Sequence, residues 1–158
     1  MIDPGQLLRL VIRPALIHIG LHSQAAEQLV LGTALAESAG KHLHQVGGGP
    51  ALGLWQMEPA THDDIYENYL KNRRELDALV DGLRTSAALT DGAFELIGNL
   101  YYGAAMCRIH YRRIPAAMPY AGSIDGMAHY WKQHYNTPAG KGTVEKALPS
   151  FQLACSFP

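Results

Sequence analysis

A chain of 158 residues with 47% hydrophobic and 17% charged residues has the size and composition of one folded domain around a single core. Its formal charge of −1, with no lysine or arginine run, gives no electrostatic footing for nucleic acid or an anionic membrane surface. No uncharged apolar stretch reaches the roughly 18 residues of a membrane span, and Asp3, Pro4, Arg9 and Arg13 interrupt the first apolar residues before a secretion signal can form.

Residues 5–20 place Leu7, Leu8, Leu10, Val11, Ile12, Leu16, Ile17 and Ile19 at helical spacing, and Pro14 is expected to kink or divide that helix. His18 and His22 stand four apart, and Glu37, His42 and His44 lie after the next helix, so a zinc site can be drawn. The His-Glu-x-x-His pattern is missing, however, and surface histidines are the preferred reading: no metal and no cofactor is expected. From Ala25 to Ala36 the apolar residues cover every face, which marks a helix enclosed by other helices. Ser23 caps its start, Glu27 suits its first turn and Gly40 its left-handed stop.

Glu37 then falls at the C-terminal end of this helix, beside apolar residues. Burial and the helix dipole both favour its neutral form, as a general acid near neutral pH requires, although a lone last-turn glutamate is ordinarily a solvated surface residue. Beyond it lies a glycine-rich turn, Gly47-Gly48-Gly49-Pro50 with Gly53, with room for a small hairpin. Trp55, Gln56 and Met57 come next, an aromatic plate, an amide and a thioether suited to a sugar-binding wall.

Pro59 fits the first position of a helix reaching Leu70, where Asp63 and Asp64 complement the dipole. Alternatively Glu58, Asp63 or Asp64 lies across a cleft from Glu37 as a second acid that positions a water. Residues 72–90 read as a short helix and a polar bend from Ser86 to Thr90, closing one side of the groove. Asp91 is expected to cap a long helix from Gly92 to about Arg113, ended by Pro115. On it Asn99 is either structural or a substrate contact.

Residues 116–122 form a loop, and Ser123 caps a helix from Ile124 to Tyr135. There Met127, Tyr130, Trp131 and His134 share a core-packing face, and Tyr135 is the functional candidate. A turn at 138–143 leads to a short capped helix, Val144 to Leu148, interrupted by Pro149. Cys107 and Cys155 can pair, but two cysteines without metal-ligand spacing are more often buried thiols.

Four segments in order resemble the lytic transglycosylase branch of the lysozyme-like superfamily: Glu37-Ser38, then Gly53-Leu54-Trp55-Gln56-Met57-Glu58-Pro59-Ala60-Thr61, then Asn99-Leu100-Tyr101-Tyr102-Gly103, then Tyr135-Asn136. The chain departs from that pattern at Trp55, where Met is usual, at Glu58, where an apolar residue is usual, at Met106-Cys107 and at His134. The resemblance implies a mainly α, lysozyme-like two-lobed domain over residues 1–158, with a substrate groove and at most a small hairpin. It also implies cleavage of the β-1,4 MurNAc-GlcNAc bond of bacterial peptidoglycan, with a 1,6-anhydro product. Glu37 would be the single acid/base. Ser38 and Gln56 would bind the N-acetyl arm, Met57 and Trp55 would pack on the sugar ring, Tyr135 would hold Glu37, and Asn99 would border the cleft.

Phage-encoded members of this kind travel in the virion or leave the host cytoplasm with other lysis proteins, which implies delivery to the periplasm or cell wall. Beside a metal-binding histidine protein built on the zinc site drawn above, two rival readings stay open. One is a goose-type lysozyme hydrolase using the same glutamate and a water, favoured by Glu58. The other is a non-catalytic virion or wall-binding protein with Trp55, Tyr101, Tyr102 and Tyr120 as sugar platforms.

Overall fold

The computed structural model describes residues 1–85 and 92–158, and over them the protein is mainly helical. Asp3 accepts a hydrogen bond from the Gln6 amide and Pro4 opens helix α1 (Pro4–Leu7), where a missing N–H costs nothing. The chain widens into a π-helical turn, Leu8–Ile12, and continues as α2 (Arg13–His18). Pro14 has no N–H to give and its ring would crowd the carbonyl of Leu10 in a regular helix. The wider turn just before it carries the helix past the proline rather than dividing it.

Helix α3 (Gln24–Ser38) is the buried centre. Its first turn is capped by Ser23, whose Oγ accepts from the Ala26 amide at 3.1 Å. The expected left-handed stop at Gly40 is shared: Ala39 already has φ 53°, Gly40 comes next at 63°, and their amides close on Leu35 and Ala34. A residue with a Cβ in that position costs about 1 kcal/mol. Along α3 lies α9 (Val144–Cys155), so close that a methyl at Gly32 would fall 2.2 Å from the Phe151 ring.

Contrary to the short helix expected there, α9 runs through Pro149. Burying Ala147, Phe151 and Ala154 offsets the roughly 3 kcal/mol that an interior proline costs.

The glycine-rich stretch forms only a rudimentary hairpin, in which Gln45 donates to Ala51 and Gly53 to Leu43, with isolated bridges at His44–Leu52 and Leu52–Met57. Gly53 is required here. It has φ 72°, and a Cβ would lie 2.2 Å from the Leu96 carbonyl oxygen. Helices α4 (Pro59–Asn68) and α5 (Arg74–Asp81) come next, joined by a 3-10 turn at Leu70–Asn72. The expected bend at Ser86–Thr90 and cap at Asp91 lie outside the described residues.

The single helix expected from Gly92 to Arg113 is instead a 3-10 turn (Gly92–Phe94), α6 (Glu95–Gly98) and α7 (Leu100–Arg112). Asn99 breaks it by leaving helical geometry to cap α7, accepting from the Tyr102 amide at 3.0 Å. Helix α8 (Ile124–Trp131) starts at Ser123 without a side-chain cap and runs on into a second π-turn, Lys132–Asn136.

Buried apolar side chains gather in two clusters. One surrounds α3 and includes Trp55, Trp131 and Phe151; the other holds Ile65, Leu70, Val80, Leu96, Tyr102 and Met106. Cys107 and Cys155 are both free thiols. Among the described residues no helix is long and apolar enough to cross a membrane.

Candidate active site

Where α3 ends, the chain turns away in its left-handed pair and leaves Glu37 on the wall of a cavity of about 770 Å³. The cavity is also walled by parts of the 42–46 and 51–61 segments, by His110 of α7 and by the stretch from Trp131 to Ala147. Glu37 is half-buried. Its Oε1 accepts a hydrogen bond from the Trp131 indole Nε1 at 2.8 Å. Burial pushes its pKa up from 4.5 to about 7, against the opposing pull of hydrogen bonds from Trp131 and Asn136. A carboxyl poised there holds a proton near neutral pH and can also take one back.

Four of the sequence-predicted neighbours line this cavity with Glu37: Gln56, Met57, Glu58 and Tyr135. Gln56 is in the left-handed region at φ 46°, and its Nε2 donates back to the Gly53 carbonyl at 2.8 Å, a local brace that orients the amide. Met57 is buried at the base, and Glu58 is exposed on the rim as α4 begins. Tyr135 does not bond Glu37 as expected. Its hydroxyl donates to the Trp55 carbonyl at 2.7 Å and so ties the second π-turn to the segment carrying Gln56 and Met57.

Several expected site residues are elsewhere. Trp55 is a core residue: its indole N–H donates to the Val30 carbonyl at 2.9 Å, and its ring lies where a side chain on Gly103 would be. An indole with its one donor satisfied in the interior cannot serve as an exposed sugar plate. Ser38 is buried and closes the helix end, donating to Ala34 and accepting from the Gly40 amide.

Asn99 caps α7 and spends its amide on Leu83 and Glu95, which removes the substrate-contact reading. Asp63 bonds His62 at 2.8 Å, and Asp64 pairs with Arg113 and Asn68; neither lines the cavity, so Glu58 alone of the three candidate second acids does. Tyr102 is buried, with its hydroxyl bonded to His62 and Tyr66, and exposed Tyr101 and Tyr120 lie off the cavity lining.

Two residues of the site carry no clear mark in the sequence. Trp131 reads as core packing, and so it is, yet its indole edge reaches Glu37 across 94 positions of chain. Its spacing one turn before Tyr135 is the signal that points to it. His110 also faces the cavity, and burial, reinforced by Arg113, pushes its pKa down to about 4, so it is neutral at physiological pH. Among the described residues no three His, Cys, Asp or Glu side chains converge to hold a metal. His18 bonds the Leu79 carbonyl and His22 bonds Glu27.

The cavity and its carboxyl thus define a site suited to acid/base chemistry on a polar ligand. No family model, curated protein or solved structure matches the chain.

Proposed function

We propose that the protein is a peptidoglycan-cleaving muramidase of lytic transglycosylase type, and that the cavity is the substrate groove of a lysozyme-like two-lobed domain. The observation that carries this reading is the half-buried Glu37 carboxyl on the cavity wall, with a pKa of about 7 and its oxygen held by the Trp131 indole. The sequence motifs around it support the substrate class. Protonated Glu37 gives its proton to the glycosidic oxygen as the bond to the muramyl C1 breaks, and the substrate's own N-acetyl oxygen attacks C1. The carboxylate left behind removes the proton from the muramyl 6-hydroxyl, whose oxygen displaces the acetamido oxygen and closes the 1,6-anhydro ring. Glu37 returns to its protonated form.

Within this reading Gln56 takes the N-acetyl arm and Met57 packs beneath the sugar. The ring-packing role expected of Trp55 passes to its neighbours. Delivery to the wall belongs to a phage particle or lysis system. One observation favours a second reading: Glu58 on the cavity rim supplies the carboxylate that a goose-type hydrolase would use to position water.

Mass spectrometry of muropeptides released from purified peptidoglycan by the wild type and by Glu37→Gln separates these. Products lacking one water, lost in the variant, are expected for the lyase. Hydrated reducing ends, lost in Glu37→Gln and reduced in Glu58→Gln, would establish the hydrolase. A wild type that releases nothing but sediments with the wall would leave a binding protein.

A further inference from the structure

We propose that Lys132 is a positioning residue for Glu37, fixing the loop at 136–142 so that it holds Trp131 and Asn136 in place around the carboxyl. The effect on activity rests on the reading of Glu37 as the acid; the structural effect does not.

Lys132 opens the second π-turn and reaches with its ammonium to the end of that turn and the loop beyond it. The three protons of Nζ go to Asn136 Oδ1 at 2.9 Å and to the carbonyls of Thr137 and Gly140, both at 2.8 Å. Among the described residues it meets no carboxylate, so its charge serves the loop alone. Such convergence suits the compact, three-donor ammonium. With Oδ1 of Asn136 engaged by Lys132, the amide's donor end is turned the other way, which settles the orientation that an isolated amide leaves open.

The loop then closes tightly. Thr137 takes φ 69°, and a Cβ on Gly142 would fall 2.6 Å from the far edge of the Trp131 ring and 2.9 Å from Asn136 Nδ2. Backbone therefore presses on both the ring and the amide that border Glu37, and Lys132 holds that backbone down.

The titratable groups around Glu37 are Cys107 and Tyr111 of α7 and Tyr135 of the π-turn, with His42, Glu58, His110, His134, Lys141 and Lys146 on the cavity wall. Burial raises the first three well above their ordinary values and keeps them neutral near pH 7. Burial raises the Glu37 titration and the bonds from Trp131 and Asn136 oppose that rise, so loosening either donor moves the midpoint further up.

The test is carbon NMR titration of the Glu37 carboxyl in the full chain, with thermal unfolding and muropeptide release measured beside it, for Lys132→Met, Lys132→Arg and Gly142→Ala. Loosened donors stabilise the carboxylate less, so the Glu37 midpoint in Lys132→Met is expected to rise by about one pH unit. Turnover should fall about tenfold with KM nearly unchanged. Lys132→Arg, which keeps charge and donors, should lie between it and the wild type. Gly142→Ala should shift the midpoint the same way by pushing on Trp131 and Asn136, and it supplies the test if Lys132→Met does not fold.

Lower stability or activity in Lys132→Met with an unmoved Glu37 midpoint would overturn the proposal. So would an arginine variant as displaced as the methionine one. A shifted midpoint in a protein whose wild type releases no muropeptides would keep the positioning role and sink the muramidase reading.

Discussion

At the end of α3 a single half-buried carboxyl group sits at a helix C-terminus, and burial and the helix dipole both work against its ionisation. The cost appears as stability. Glu37 loses its proton near 4.5 in an unfolded chain and near 7 in the folded one, so the folded protein binds more protons across that window and its stability falls as pH rises through it. At roughly 1.4 kcal/mol for each pH unit between the two values, the penalty above pH 7 has an upper bound of about 3.5 kcal/mol. Replacing Glu37 by Gln removes it. Urea unfolding of Glu37→Gln is expected to show a gain of about 1–3 kcal/mol over wild type at pH 8, shrinking toward zero at pH 4. Equal curves at both values would mean that the carboxyl is not perturbed. The gain should accompany loss of any acid/base activity, since a group suited to catalysis is one the fold tolerates at a cost.

One level up, elements meet by leaving out side chains at chosen places. Gly103 on α7 is such a place: a Cβ there would come within 2.8 Å of the Trp55 ring. The Gly103 in the motif-like stretch therefore serves packing, and Trp55 is the residue it accommodates. Since φ at Gly103 is not left-handed, Gly103→Ala tests packing alone. Overfilling the contact is expected to cost about 1–3 kcal/mol and to lower the thermal midpoint by several degrees. A neutral result would show that the indole can slide. Asn99 shows the same level from another side. Asparagine competes with the backbone for hydrogen bonds, so it ended one helix and began the next where spacing of apolar residues alone pointed to a continuous rod.

Across the molecule, distant parts of the chain are joined at buried Glu27. Arg13 of α2 donates to it at 2.6 and 2.9 Å and also to the Pro158 carbonyl, and His22 adds a bond at 2.7 Å. Burial raises the Glu27 pKa, but these partners outweigh it and hold the carboxyl below its ordinary value. Stability from this group is thus present above about pH 4.5 and lost as acid protonates it. Arg13→Ala leaves the carboxylate with His22 alone; because Arg13 is partly exposed, the expected loss is about 1–3 kcal/mol at pH 7. The loss should narrow at pH 3, measured by denaturant unfolding; a pH-independent difference would point to lost packing instead.

Local chemistry was enough to fix the helical character of the chain, the cap at Ser23, the buried α3 and the placing of Glu37 at its end, because caps, periodicity and dipole act within a few residues. The surroundings of Glu37 were beyond reach of those rules. That Trp131 rather than Tyr135 meets the carboxyl, that Trp55 turns inward, and that Asp63 and Asp64 are engaged away from the cavity all depend on which distant backbone each side chain meets, and only the packed fold decides that.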